Sequence, residues 1–179
     1  MQHVDVYGLP YLEPRVVAAD LGVEKLTHQD VVAAAVERIR EVAEQRAKEA
    51  GDVPIRTVVM AHLFAAGGTP SESEAVLSVG QLDRVSADLF GWADYTALGH
   101  LHGPQSPLPY VKYSGSPVPY SFSEAKQEKG AWIVDINPGE DVATTWVSWP
   151  PAVPLAILKG TLEELLSGDE HAWACLLYT

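Results

Sequence analysis

The chain has 179 residues, of which 47% are hydrophobic, and a formal net charge of −12. This length suits one domain, or one domain with part of a second, and the apolar content is sufficient for a hydrophobic core. No run approaches the roughly 20 apolar residues of a membrane span, so we expect no membrane partner. An acidic surface weakens nonspecific attraction to nucleic acid, so DNA binding would need a local positive charge such as a metal ion.

The start of the chain and its cysteine content bear on the compartment. The first ten residues, MQHVDVYGLP, lack the basic and then apolar layout of a signal peptide. Cys175 is the single cysteine, so an internal disulfide is impossible, which fits a reducing compartment. The sequence therefore predicts a cytoplasmic protein.

The first two predicted elements are a strand and a long helix. VDVYGLPYLEP alternates apolar residues and then breaks at Pro10 and Pro14, which indicates a strand followed by a turn. The next 25 residues begin with Thr27 as a helix N-cap and end at Gly51. Four residues of this helix share one apolar stripe, namely Val32, Val36, Ile39 and Ala43.

Two buried strands are predicted next, and each one leads into histidine. TVVMA (57–61) is rich in β-branched residues and is followed directly by His62, and then by the Gly- and Ser-rich loop AAGGTPSESE. YTALG (95–99) is followed by His100 and His102. Because alternate residues of an extended segment point the same way, these two histidines would project from one face.

Later segments predict a third strand and a hairpin. YVKYSGSPVPYSF reads as a strand interrupted by Gly115 and Pro117, and GAWIVDINPGEDVATTWVSW as a hairpin that turns at NPGED. We therefore expect residues 1–149 to form one layered α/β unit.

The composition changes after residue 149. Pro150, Pro151 and Pro154 suggest a linker, Thr161 caps a short helix, and the final AWACLLYT resembles a strand. We expect residues 150–179 to begin a second, truncated domain, and the chain to be a fragment.

Three histidines at strand ends are the strongest chemical signal in the chain. His62, His100 and His102 would lie beyond the carboxyl ends of strands, where α/β sheets bind ligands, and imidazole is a common metal ligand. Taken alone, H-x-H is a weak signal, and surface or hydrogen-bonded histidines are the alternative. The remaining three histidines, His3, His28 and His171, are expected to be incidental.

Three segments together resemble one known family. VVMAHLFAAGG, DYTALGHLHGPQ and VKYSGSPVPYSFSEAKQEKG occur in this order and resemble the C-terminal half of the SbcD-type nuclease domain, within the calcineurin-like metallophosphoesterases. G-H-x-H marks only the superfamily, whereas YSGSPVPYSFSE followed by KG is much more specific. YGLPYLEP and PPAVPLAILKGTLEELL are also similar to SbcD-type sequences, so the resemblance covers nearly the whole chain.

The resemblance carries expectations about fold, chemistry and partners. It implies part of a sandwich of mixed sheets flanked by helices, with two manganese ions that hydrolyse DNA phosphodiesters in double-strand-break repair, recombination and replication. It makes His62 and His100 ligands of one ion and His102 a ligand of the other. It also implies an SbcC-type ATPase partner and allows a homodimer.

The family's earlier motifs are not found ahead of these elements. Neither Asp-x-His nor Gly-Asn-His-Asp occurs upstream of His62, and these would supply the other ligands, the bridging carboxylate and the histidine that protonates the leaving group. No catalytic residue is therefore identified in this chain, and the region that binds the ATPase would lie beyond residue 179. We expect the isolated chain to be inactive.

Further residues near the third strand have two possible roles. Ser114 and Ser116 are candidates to contact a phosphate or a metal-bound water molecule. Alternatively, their hydroxyl groups form hydrogen bonds within the turn. Lys112, Lys126 and Lys129 offer at most a weak DNA track, offset by Glu124 and Glu128, while Tyr120 and Phe122 are expected in the core.

Two other functions compete with the nuclease. The superfamily motif also permits a phosphoesterase that acts on phosphomonoesters or cyclic nucleotides. The chain could instead be a non-catalytic remnant with only a partial metal site.

Overall fold

A computed structural model describes residues 2–69, 84–150, 155–161, 163 and 173–178. Its strands are β1 (His3–Leu9), β2 (Ile55–His62), β3 (Phe64–Ala65), β4 (Arg84–Val85), β5 (Tyr95–Gly99), β6 (Gln105–Leu108), β7 (Val111–Tyr113), β8 (Lys129–Asp135), β9 (Ala143–Trp149), β10 (Leu155–Gly160) and β11 (Trp173–Tyr178). Its helices are α1 (Pro14–Leu21) and α2 (His28–Ala50), with short 3₁₀ turns at Ala87–Phe90 and Phe122–Glu124.

The main sheet is mixed and has the strand order β1-β2-β5-β7-β6. The first four of these strands are parallel, and β6 pairs antiparallel with β7. Three two-stranded pairs complete the sheets: β3 with β4, β8 with β9, and β10 with β11. The predicted α/β class is confirmed, and the mixed sheets are consistent with part of a metallophosphoesterase sandwich.

Helix α2 covers one face of this sheet. Thr27 caps it as predicted, because the Thr27 hydroxyl oxygen accepts a hydrogen bond from the Asp30 amide at 3.1 Å. The core that forms between the helix and the sheet includes Val31, Val32, Ala35 and Val36 from α2 and Val59, Ala61 and Leu98 from the strands. Burial of these aliphatic side chains stabilises the packing of α2 on the strands that carry the histidines.

The opposite face of the same sheet is open. Val4, Val6 and Met60 are 44%, 58% and 54% exposed, because successive side chains of a strand point to opposite faces. A groove of about 600 Å³ lies over this face at the carboxyl ends of β1, β2 and β5, and His62 is among its lining residues. Apolar surface therefore adjoins His62 directly.

The predicted turn at Pro10 and Pro14 contains a helix that was not predicted. Pro14 is the first residue of α1, a position that suits proline because its missing N–H would have no partner in the first turn. The helix ends at Gly22, whose φ of 72° closes the last turn. Pro14, which the sequence pattern assigns to the turn after a strand, is thus the first residue of a helix.

The third predicted strand is real but short. It covers Val111–Tyr113 and stops before Gly115, where φ is 84°. Its antiparallel partner β6 contains Pro107, a residue that argues against a strand in the sequence pattern. The predicted hairpin is confirmed as β8 and β9, with Gly139 in its turn at φ 75°.

The C-terminal predictions are tested in part. The expected strand in AWACLLYT is present as β11, parallel to β10. Most of the helix predicted after Thr161 lies outside the described residues, as does the loop from residue 70 to 83. The division at residue 149 stays a prediction.

The length and apolar character of the helices bear on membrane insertion. Within the described ranges, no helix is long and apolar enough to cross a bilayer.

Replacement of Gly115 by Ala should destabilise the fold strongly. A Cβ there would lie 2.5 Å from the His102 carbonyl oxygen, in addition to the strain of a positive φ. Gly139→Ala is the matched control, since its φ is also positive and nothing lies within 4 Å of its Cβ position. We expect a loss of about 1–2 kcal/mol for Gly139→Ala and a further 1–3 kcal/mol, roughly, for Gly115→Ala. Equal losses in urea unfolding would contradict the close approach of Gly115 to His102.

Candidate metal centre

Two of the predicted histidines are brought together by the register of β2 and β5. His62 pairs with Gly99, so His100 follows the paired position directly. His62 Nε2 lies 3.4 Å from His100 Nδ1. Two ligands on one ion at tetrahedral angles, with metal–nitrogen bonds of about 2.1 Å, would be about 3.4 Å apart. The two nitrogens thus lie at a distance that fits both a hydrogen bond between the rings and two ligands of one metal ion.

The backbone around this pair is constrained on both sides. A Cβ at Gly99 would lie 3.1 Å from His62 Nδ1, so glycine leaves room for the imidazole ring. His100 has a φ of 119° and is the only non-glycine residue with positive φ in the described part of the chain. Such conformations cost free energy and are typical of functional positions.

Two aromatic side chains hold the His100 ring. Tyr11 stacks on it with ring centroids 6.3 Å apart and planes 8° from parallel, and Phe64 stacks at 6.2 Å and 26°. The Tyr11 hydroxyl also lies 3.3 Å from Nε2 of the buried His28. His28 was expected to be incidental, but it anchors a residue beside the site.

Phe64 is fixed in turn by Tyr113. The buried Tyr113 hydroxyl donates to the Leu63 carbonyl and accepts from the Ala65 amide, both at 2.8 Å. These bonds satisfy the backbone on both sides of Phe64. Sequence reasoning gave Tyr11 and Tyr113 no role, although Tyr11 follows a parallel strand at its carboxyl end, where ligands gather.

The third predicted ligand, His102, is held by a carboxylate. His102 Nδ1 lies 2.9 Å from Glu124 Oε1, and Glu124 Oε2 lies 2.9 Å from Lys129 Nζ. Burial raises the pKa of the Glu124 carboxyl, but hydrogen bonds from His102 and Lys129 outweigh it and hold the pKa at about 2. Glu124 is therefore a permanently charged acceptor at neutral pH.

Two lysines of the proposed DNA track are unsuitable for that role. Lys129 is 2% exposed and Lys112 is 9% exposed, so neither presents its charge to solvent. The Lys112 ammonium lies 4.3 Å from the centre of the Trp132 ring and donates to the Ser106 hydroxyl. The charges of both lysines contact partners within the chain.

The two serines of the loop after β7 bond within the chain. Ser116 donates to the Val118 carbonyl at 2.7 Å and accepts from Lys129 Nζ at 2.9 Å. Ser114 Oγ accepts from the Trp132 amide at 3.4 Å. A substrate contact by Ser114 or Ser116 stays a prediction.

The aromatic residues after this loop are not in the core. Tyr120 is 65% exposed and Phe122 is 37% exposed, so the expectation that both are buried is wrong. The Tyr120 ring lies 5.2 Å from the His102 ring, which places an accessible aromatic group beside a candidate ligand.

The donor set on this chain fits part of a metal shell. His62 and His100 have the required spacing, but no group of three or more His, Cys, Asp or Glu that could hold an ion is found among the described residues. A catalytic metal normally needs at least three protein ligands. Further ligands would have to come from outside this part of the chain.

Fold and site together define a class. Histidines at the carboxyl ends of neighbouring parallel strands, in a mixed α/β sheet, are the arrangement expected of part of a metallophosphoesterase. No family model matches the chain.

Comparison with known proteins narrows this class to SbcD-type nuclease subunits. The chain is 31% identical over 169 residues to the SbcD subunit of the SbcCD nuclease of Escherichia coli K12, which covers 91% of this chain and 42% of that protein. It is 38% identical over 131 residues to the corresponding subunit of Bacillus subtilis strain 168, covering 65% of this chain and 32% of the relative. The resemblance found in the motifs is confirmed: this chain is similar, over most of its length, to part of an SbcD-type subunit.

The strain at His100 predicts an unusual order of stabilities. At His100 the Gly variant should be more stable than the Ala variant by about 1–3 kcal/mol, because glycine adopts positive φ without strain. At His62, within a regular strand, His62→Gly should instead be less stable than His62→Ala by about 0.5–1 kcal/mol. Urea unfolding of the four variants measures both differences. If the Gly variant is more stable than the Ala variant at both positions, or less stable at both, the backbone geometry of His100 is contradicted.

Proposed function

We propose that this chain is part of a metal-dependent DNA nuclease subunit of the SbcD type, which hydrolyses phosphodiester bonds during double-strand-break repair and recombination. The observation that carries the proposal is the His62–His100 pair, whose ring nitrogens lie 3.4 Å apart at the carboxyl ends of β2 and β5. The relatives are named as subunits of the SbcCD nuclease, which favours a nuclease over a phosphoesterase for small molecules.

In this proposal His62 and His100 hold one ion, His102 holds a second, and the ions are manganese. When bound, such ions lower the pKa of a water molecule and polarise a phosphate. This chain contributes imidazole rings at fixed positions, since Tyr11 and Phe64 hold the His100 ring and Glu124 holds the His102 ring. In this proposal Ser114 and Ser116 contact the phosphate of the substrate.

The site is completed outside this chain. The chain spans about 42% of the length of the Escherichia coli relative, and His62 adjoins an open apolar sheet face. We propose that the remaining ligands lie on a segment that corresponds to the unmatched part of the relatives and packs against this face. The 179-residue chain is accordingly inactive by itself.

The partners of the complete protein are also proposals. They are DNA, an SbcC-type ATPase as the relatives' name suggests, and a second copy in a homodimer, all in the cytoplasm.

Manganese titration by calorimetry tests the ligand assignment. The chain should bind with a dissociation constant near 100 µM, which corresponds to about −5.5 kcal/mol. His62→Ala/His100→Ala should abolish binding, because a single imidazole holds an ion weakly. His3→Ala, an exposed histidine of β1, is the control and should leave binding unchanged. Binding that survives in the double variant would contradict the assignment.

A chimera tests the nuclease function itself. The upstream part of the Escherichia coli protein, ending where its similarity to this chain begins, is joined to the 179 residues and assayed on linear duplex DNA with manganese. We expect cleavage by the chimera, no cleavage by this chain alone, and a loss of at least about 100-fold in His102→Ala, because a metal ligand is removed. A folded chimera that cleaves nitrophenyl phosphodiesters but not DNA would favour the small-molecule alternative.

A further inference from the structure

A buried ion pair lies against His102 and is not used by the proposed chemistry. The side chains of Glu124 and Lys129 are 0% and 1% exposed. Burial of two charges is costly unless they are paired and hydrogen-bonded, and replacement by apolar residues of similar size is often neutral or stabilising. Stability alone therefore does not explain why these charges lie here.

The bonds of Glu124 show what the carboxylate does. Oε1 accepts from His102 Nδ1 at 2.9 Å, while Oε2 accepts from Lys129 Nζ at 2.9 Å and from the Tyr120 amide at 3.2 Å. One oxygen thus faces the imidazole, and the other is fixed by a cation and a backbone donor. The carboxylate has little freedom to rotate away from the ring.

Lys129 contacts the main chain of the same histidine. Its ammonium donates to the His102 carbonyl at 2.9 Å, in addition to the Ser116 hydroxyl and the Gln127 side-chain oxygen. The ion pair therefore contacts His102 at two points, through Glu124 at the ring and through Lys129 at the backbone. A pair that served only to fill the core would not need both contacts.

We propose that Glu124 is a positioning residue for His102: the carboxylate orients the ring and favours the tautomer protonated on Nδ1, in which the ring lone pair lies on Nε2. Lys129 fixes the carboxylate and the His102 backbone. Carboxylates that bond the second nitrogen of a ligating histidine orient the ring and select its tautomer in many metal sites. The inference rests on the proposed function in that it takes His102 as a metal ligand.

The experiment reads the His102 tautomer directly by ¹⁵N NMR of the histidine rings in the metal-free 179-residue chain. Three proteins are compared: the original chain, Glu124→Gln, and Glu124→Leu/Lys129→Met. In the Gln variant the side-chain oxygen has to accept from Lys129 Nζ and the Tyr120 amide, so the NH₂ group faces His102 Nδ1 and can only donate, whereas the double variant removes the acceptor without leaving a buried charge. Glu124→Asp replaces the double variant if that one does not fold, since it keeps the charge balance but its shorter side chain withdraws the acceptor from the His102 ring.

We expect the Nδ1–H tautomer in the original chain, the Nε2–H tautomer in Glu124→Gln, and a mixture of tautomers in the variant that lacks the acceptor. A His102 protonated on Nε2 in the original chain, or an unchanged Nδ1–H tautomer without the acceptor, would overturn the proposal. Broadening of the His62 and His100 signals by manganese serves as a separate measurement. If manganese does not broaden these signals, the proposed function is contradicted, whereas the assignment of the Glu124 contact is unaffected.

Discussion

The ammonium group of Lys129 organises the side of the molecule that carries His102. Its three N–H groups are shared among four acceptors at 2.9–3.0 Å, which belong to His102, Ser116, Glu124 and Gln127. These residues lie on three stretches of chain that no regular hydrogen-bond ladder joins: the loop after β5, the loop after β7 and the 3₁₀ segment before β8. Because loss of one partner leaves a buried charge uncompensated, at a cost of about 3–5 kcal/mol, the three stretches are held as a unit.

The two halves of the candidate site depend on different physical constraints. His62 and His100 meet because β2 and β5 are parallel and in register, so backbone pairing determines their separation. His102 depends instead on side-chain hydrogen bonds within the Lys129 network. Backbone pairing in a sheet centre resists local change, whereas a side-chain network can be altered at one position. Such a division lets the spacing of His62 and His100 stay constant while the His102 ring is adjusted independently.

Sequence reasoning succeeded where the signal is local. The runs TVVMA and YTALG predicted β2 and β5, and Thr27 and Gly51 predicted the ends of α2. The sequence pattern does not predict the position of a residue that is set by a tertiary contact. Nothing around Lys129 indicates burial, since its partner Glu124 belongs to an irregular segment with no periodicity, and the Tyr11–His28 contact joins residues 17 positions apart. The positions of His62 and His100 at strand ends are predicted by the sequence, but their 3.4 Å spacing follows from the strand register, which composition does not encode.

The pairing of His62 with Gly99 also limits how the length of this chain can vary. Side chains of a strand alternate with a period of two, so one residue inserted within β2 or β5 would turn every following side chain to the opposite face. The His62 ring would then leave the groove and the apolar residues would lose their contact with α2. Gains and losses of residues among relatives should therefore be excluded from the two strands.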